Sequence, residues 1–301
     1  MGSFAIRTQG LTLSYRHGRG IEDVHLEVPT GEVFGFLGPN GAGKTTTIRV
    51  LLDFLRPTSG SASVLGLDSR IDSLAIRGRT GYLPGDFSVP PMLTGAQVLD
   101  WLSSLRPDTP PIRREELVQR FGVQLDRPMK QLSKGNRQKI GLVQAFQHAP
   151  ELVILDEPTT GLDPLMQDEF HRLVREHATA GGTVFLSSHS LDEVQHTADR
   201  VGIIRNGKLV TVETVDDLRG RGVRRVTLTM AAGAGDLAEP QLHVLVGIDG
   251  IERRGDVFEF AVIGDYADVL AGLGKLPVVD LLSRAADLDE VFLALYRGSD
   301  T

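Results

Sequence analysis

A chain of 301 residues with 41% hydrophobic and 24% charged residues is long enough to bury one large core, or a large and a small one. Its net charge of -7 argues against a surface that holds a polyanion by bulk attraction, and the absence of cysteine excludes disulfides, zinc–thiolate sites and cysteine nucleophiles. No apolar run approaches the ~20 residues a bilayer span needs, and the start of the chain, Met1 to Arg7, lacks the apolar segment of a signal peptide.

In chain order, Glu32–Leu37 reads as a buried strand that runs into a glycine-rich turn, with a helix over Lys44–Phe54 after it. An amphipathic helix is expected over Lys134–His148, followed by an apolar strand over Leu152–Leu155. Pro164–Ala180 reads as a helix with proline in its first turn and Gly181-Gly182 closing it. Thr183–Ser187 is a strand, and Ile203–Val210 a hairpin turning at Asn206-Gly207. This alternation of strands and helices is what a mostly parallel sheet requires, so the fold class is α/β.

The texture changes near Gly220. Strands are expected over Val223–Met230, Gly250–Arg254 and Val257–Ile263, with a flexible connection at Ala231–Asp236 and a turn at Gly255-Asp256. A helix over Tyr266–Leu273, a strand over Val278–Leu282 and an end helix over Leu288–Tyr296 follow. The division is therefore 1–220 for a large domain and 221–301 for a small α+β appendage.

Gly38-Pro39-Asn40-Gly41-Ala42-Gly43-Lys44-Thr45 fits the G-x-x-x-x-G-K-[ST] phosphate loop, in the strand–turn–helix context it needs. Its glycines let the backbone wrap an anion, which the N–H groups and the positive end of the next helix then face. Lys44 adds a cation near the outer phosphates, and the Thr45 hydroxyl is placed to ligate Mg²⁺. A chance glycine turn is the competing reading, at roughly one match in a hundred chains. The second element is Asp156-Glu157, at the end of the apolar strand and so at the sheet edge where open α/β sheets bind ligands. Strand alternation sends the two carboxylates to opposite sides. Asp156 is expected to reach Mg²⁺ and Glu157 to orient or deprotonate an attacking water. Alone, such a pair is more often just a strand end; the phosphate loop gives it meaning.

Between these elements, Leu132-Ser133-Lys134-Gly135-Asn136-Arg137-Gln138 resembles the signature sequence of ABC ATPases. Gly161-Leu162-Asp163 resembles that family's D-loop, His189 in Ser187-Ser188-His189 its switch histidine, and Tyr15 the aromatic that stacks on adenine. The resemblance covers about residues 4–220. It implies a P-loop NTPase of ABC type: a mostly parallel core sheet, an antiparallel β part and a helical subdomain at about 86–150.

The resemblance also implies a mechanism. ATP and Mg²⁺ would be held by Tyr15, Gly38, Asn40, Gly41, Ala42, Gly43, Lys44, Thr45, Thr46 and Asp156, with Glu157 and His189 catalytic. A second ATPase subunit, more readily an identical copy than a different chain, would present Ser133, Lys134, Gly135 and Asn136 across the interface, with Asp163 in its D-loop. ATP then closes the dimer and hydrolysis opens it, driving a separate integral-membrane permease from its cytoplasmic face.

Two positions depart from the family pattern. Lys134 stands where the signature commonly has glycine. Gly85, in Gly81-Tyr82-Leu83-Pro84-Gly85-Asp86, stands where many relatives carry a glutamine that contacts Mg²⁺ and signals to the membrane partner. Water can replace that ligand on Mg²⁺, so nucleotide binding is expected to be normal and coupling altered. The segment Asp287–Leu295 resembles the closing helix of the accessory domain on ATPases of ABC-2 type exporters, drug and antibiotic efflux systems among them; it also reads as a plain amphipathic end helix. The leading reading is an ATP-hydrolysing subunit for a drug or antibiotic exporter. The alternatives are a soluble ABC ATPase acting on a non-membrane partner, which the lack of a basic field disfavours along with any nucleic-acid partner, and an ATP-gated module that does not hydrolyse.

Overall fold

The computed structural model describes residues 3–15, 18–220, 224–263 and 266–285. In chain order the first half contains β1 (Phe4–Tyr15), β2 (Gly18–Pro29), β3 (Val33–Leu37), α1 (Lys44–Leu51), β4 (Ser59–Val64), β5 (Leu67–Asp68), α2 (Ser73–Arg79) and β6 (Thr80–Leu83). Then come α3 (Gly95–Ser104), α4 (Arg114–Arg120), α5 (Lys134–Phe146), β7 (Leu152–Asp156), α6 (Pro164–Thr179), β8 (Thr183–Ser188), α7 (Leu191–Gln195), β9 (Arg200–Arg205) and β10 (Lys208–Thr214). The remainder is α8 (Val215–Gly220), β11 (Arg224–Met230), α9 (Gly235–Val244), β12 (Ile248–Arg254), β13 (Val257–Val262), α10 (Tyr266–Leu273) and β14 (Val278–Ala285). Among the described residues no helix is long and apolar enough to cross a membrane.

Contacts divide the chain into two compact units: residues 1–189 with 193–212, and residues 190–192 with everything from Glu213. The first unit holds a six-stranded sheet in the order β10-β9-β3-β8-β7-β6, in which β9, β3, β8, β7 and β6 run parallel. Every residue of β3, β7 and β8 is buried, as expected of strands covered on both faces. Phe185 stacks on Phe34 with ring centroids 5.8 Å apart and meets Phe36 at 5.3 Å, which ties β8 to β3. Register sets Leu37 beside Ser188 and Asp156 beside Ser187, so the C-terminal ends of β3, β8 and β7 lie side by side. That edge is where the candidate site forms.

A four-stranded antiparallel sheet, β2-β1-β4-β5, occupies residues that carried no strand assignment from periodicity. The reason is visible in its register: β1 and β2 shift four times along their length, and each bulge interrupts the period-two alternation. Helix α1 is three residues shorter than expected. Asp53 adopts φ 57°, and the N–H groups of Phe54 and Leu55 both turn back to the Arg49 carbonyl.

In the second unit the sheet order is β12-β13-β11-β14, with antiparallel pairing throughout. Val226, Leu228, Met230, Phe258, Phe260 and Val262 alternate onto one face, where they meet Ala238 and Leu242 of α9 and Val269 and Leu273 of α10. Helix α9 was not expected. Its entry, Ala231–Asp236, reads as a linker, and Pro240 sits within the helix. The expected end helix over Leu288–Tyr296 lies outside the described residues.

Candidate nucleotide site

The turn after β3 is held by its own backbone. Gly38 N–H donates to the Ser188 carbonyl (3.2 Å), Ala42 N–H to Pro39 (3.1 Å), and Gly207 N–H to Ala42 (2.9 Å). Gly43, at φ 116°, is the N-cap of α1 and brings no side chain, so the N–H groups of the first turn keep their capacity for an anion. A Cβ on Gly38 would lie 2.3 Å from the Ile204 carbonyl oxygen, which excludes every other residue there. Lys44 is 6% exposed, and its ammonium donates to the Gly38 (2.6 Å) and Pro39 (3.4 Å) carbonyls. A buried cation is thus fixed at the mouth of a cradle of N–H donors.

The two carboxylates have different partners, and strand alternation is not what separates them. Asp156 is the last residue of β7; its Oδ2 accepts from Thr45 Oγ1 (2.7 Å) and its Oδ1 from Ser187 Oγ (2.5 Å). Glu157 is past the strand, at φ 51°, so a left-handed turn rather than strand alternation aims it. The turn is pinned on both sides. Glu157 N–H donates to Ser187 O (3.2 Å), and Gln138 Nε2 donates to the carbonyls of Pro158 (2.9 Å) and Glu157 (3.3 Å). The carboxylate then sits between two partners: Oε2 lies 2.7 Å from His189 Nδ1 and Oε1 lies 3.2 Å from Lys44 Nζ. Lys44 approaches Oε1 off the hydrogen-bond axis, so Oε1 is a buried oxygen that accepts no hydrogen bond within the protein. Such an atom is positioned to accept a proton from a water molecule.

Tyr15, 43% exposed, reaches the loop through its hydroxyl, which lies 3.3 Å from Thr46 Oγ1. Asn40 and Gly41 lie at the exposed rim of the turn. Tyr82, on the strand next to β7, has its phenol pushed up to about 12 by burial and by the Asp156 carboxylate. Gly85 lies against Asp156: a Cβ there would stand 3.3 Å from Oδ2. The oxygen pair Thr45–Asp156 suits a hard divalent cation that keeps several waters, and no cluster of three or more acidic or histidine ligands competes for it among the described residues.

The signature residues lie elsewhere on the unit and are not brought onto the Lys44 loop. Ser133 caps α5, accepting from Asn136 N–H (3.1 Å), and both Ser133 and Lys134 are exposed. Asn136 is committed to the scaffold. Its side chain accepts from Gln124 N–H and donates to Gln124 O, both at 3.0 Å. The Lys134 stem packs over Gly161: a Cβ on that glycine would stand 3.3 Å from Lys134 Cγ. Asp163 caps α6 through Met166 N–H (3.0 Å). Ser187, Gln138 and Glu193 were missed by sequence reasoning, since each acts through strand pairing or a chain reversal that spacing does not encode.

The family model described as ABC transporter matches residues 21–160. The daunorubicin/doxorubicin resistance ATP-binding protein DrrA of Streptomyces peucetius is 36% identical over 97% of this chain and 92% of its own length. The chain belongs to the ABC transporter ATP-binding family. The bacitracin transport ATP-binding protein BcrA of Bacillus licheniformis is likewise 36% identical, over 73% of this chain and 72% of its own. Among solved structures, an ATP-binding subunit of an ABC transporter superposes with a TM-score of 0.64 at 29% identity, covering 72% of this chain and 92% of that one. A dimeric ATP-binding cassette bound to ADP and Pi gives the same TM-score at 20% identity, over 70% and 98%, and speaks to the fold alone. As an ABC ATPase the chain binds and hydrolyses ATP on an α/β P-loop fold.

Proposed function

We propose that this chain is the ATP-hydrolysing subunit of a membrane exporter for a drug, antibiotic or similar apolar compound. The observation that carries the catalytic reading is Glu157 held between His189 and Lys44, with its buried Oε1 in ion-pair range of Lys44 yet accepting no hydrogen bond within the protein. In this reading the loop N–H groups and Lys44 bind the β- and γ-phosphates, and the exposed ring of Tyr15 receives the adenine. A water accepted by Glu157 Oε1 attacks the γ-phosphorus as the bond to the β,γ-bridging oxygen breaks; the proton goes to Glu157, and ADP and phosphate leave. His189 orients the carboxylate. Thr45 and Asp156 would hold Mg²⁺, which when bound supplies charge neutralisation at the phosphates.

The exposed N-terminus of α5, at Ser133–Gly135, supports pairing with a second subunit, and one chain type suffices because it carries both kinds of half-site. A groove of about 530 Å³ supports the permease contact. Trp101 of α3, Leu105 just past its end, Leu74 of α2 and Phe87 line it, and it opens on the loop that sets Gly85 against Asp156. Among the described residues no helix is long and apolar enough to cross a membrane, and in this reading a separate permease supplies the transport path. The export direction and cargo class rest on the resistance and transport proteins named above. Affinity purification of the chain from detergent-solubilised membranes tests this. The expected result is one co-purifying polytopic membrane protein, lost when Trp101 is replaced by Glu; recovery of soluble partners alone would overturn it.

A further inference from the structure

We propose that Glu193 is a positioning residue for ATP hydrolysis, a single carboxylate that clamps together the two loops carrying Glu157 and His189. The β7–β8 register ends at Asp156↔Ser187, and past it Glu157 N–H still donates to the Ser187 carbonyl, at the segments that carry the reacting groups. Glu193, in α7, adds a side-chain tie between those segments. One of its oxygens, Oε1, accepts from Thr159 Oγ1 (2.7 Å), two residues after Glu157; the other, Oε2, accepts from Ser188 Oγ (2.5 Å), the residue before His189. Both hydroxyls belong to buried residues, Thr159 at 3% exposure and Ser188 at 0%, while Glu193 itself is half-buried.

Hydrogen bonds from hydroxyls to a carboxylate are short and strong, and truncating Glu193 removes both at once. Glu193 touches neither Glu157 nor His189 through any contact identified above; it fixes the distance between the segments that bear them. The 2.7 Å separation of His189 Nδ1 and Glu157 Oε2 is the quantity it protects. Phosphate binding depends instead on the turn after β3 and on Lys44, so the clamp acts on turnover rather than on nucleotide affinity.

This inference rests on the roles proposed for Glu157 and His189. Steady-state ATP hydrolysis and Mg-ATP binding by calorimetry, on the full chain, test it. Glu193→Ala is expected to lower kcat about tenfold or more, as misplacement of reacting groups does, with KM and ATP affinity held within about threefold. Glu193→Gln, whose amide can accept from one hydroxyl and donate to the other, is expected to retain most of the turnover. Thr159→Val removes one arm of the clamp while keeping shape, and is expected to lower kcat selectively. An unchanged kcat in Glu193→Ala, an equal loss of ATP affinity, or an amide as damaging as alanine would overturn the proposal. Should Glu193→Ala not fold, Thr159→Val decides: unchanged kcat overturns the clamp. Undiminished turnover in Glu157→Gln would instead refute the reading of Glu157, whatever the Glu193 variants do.

Discussion

Individual side chains divide the labour in this site by the ends of three strands. Lys44 is the buried cation of the proposed phosphate site, and Lys44→Ala is expected to abolish detectable ATP binding by calorimetry while leaving the fold intact. Gly85 poses a sharper question. A glutamine there would start 3.3 Å from the Asp156 carboxylate, within reach of anything that carboxylate ligates. Gly85→Gln is therefore expected to lower the Mg²⁺ concentration that half-saturates hydrolysis and to change transport; identical Mg²⁺ dependence and transport would show that the position is silent. At this scale most of the site was legible in the sequence. The glycines and Lys44 stand at phosphate-loop spacing and Asp156-Glu157 at the end of an apolar strand, whereas His189 was named through the family resemblance. Gln138 and Glu193 were not legible, because their partners Pro158, Thr159 and Ser188 are brought to them only by the packing of α5 and α7 on strand ends.

Among the elements, those with unbroken patterns were readable and those with interruptions were not. β7 and β8 declare themselves as continuous apolar runs, and the β9–β10 turn at Asn206-Gly207 has the positive φ angles, 50° and 83°, that its sequence foretells. β1 and β2 were hidden by bulges, and α9 by a glycine-rich entry and an internal proline. Helix α5 is the element whose placement most affects the site, since it carries Ser133 at its start and Gln138 one turn on. It lies so close to β6 that a Cβ on Gly81 would stand 1.9 Å from the Ala145 carbonyl oxygen. Gly81→Ala must push α5 off the sheet. The expected cost is roughly 2–3 kcal/mol in chemical denaturation, in the range of core overpacking, with a loss of turnover larger than the loss of ATP affinity.

For the whole molecule, two buried histidines are expected to contribute to the response to acid. His148 is lowered to about 4 by burial and then by Arg106, and His177 to about 4 by burial and then by Arg113. Both are held neutral in the fold while the unfolded chain takes up protons near 6.5, so stability is full above that value. It falls as the pH drops from about 6.5 towards 4, by at most ~3 kcal/mol per group. His177→Phe keeps a ring for the edge contact with Phe146, 5.4 Å away, and is expected to flatten that decline in urea titrations at pH 7 and pH 5. An unchanged slope would place the acid response elsewhere. The same scale holds the central claim, that the loop at Lys44 is one half of a site completed by a second subunit and emptied by Glu157. The direct test is Glu157→Gln with saturating Mg-ATP, followed in parallel by phosphate release and by sedimentation. Hydrolysis is expected to fall at least about a hundredfold, the scale of a lost general base, with a shift from monomer to an ATP-bound dimer. Sustained phosphate release from a chain that stays monomeric would contradict the claim.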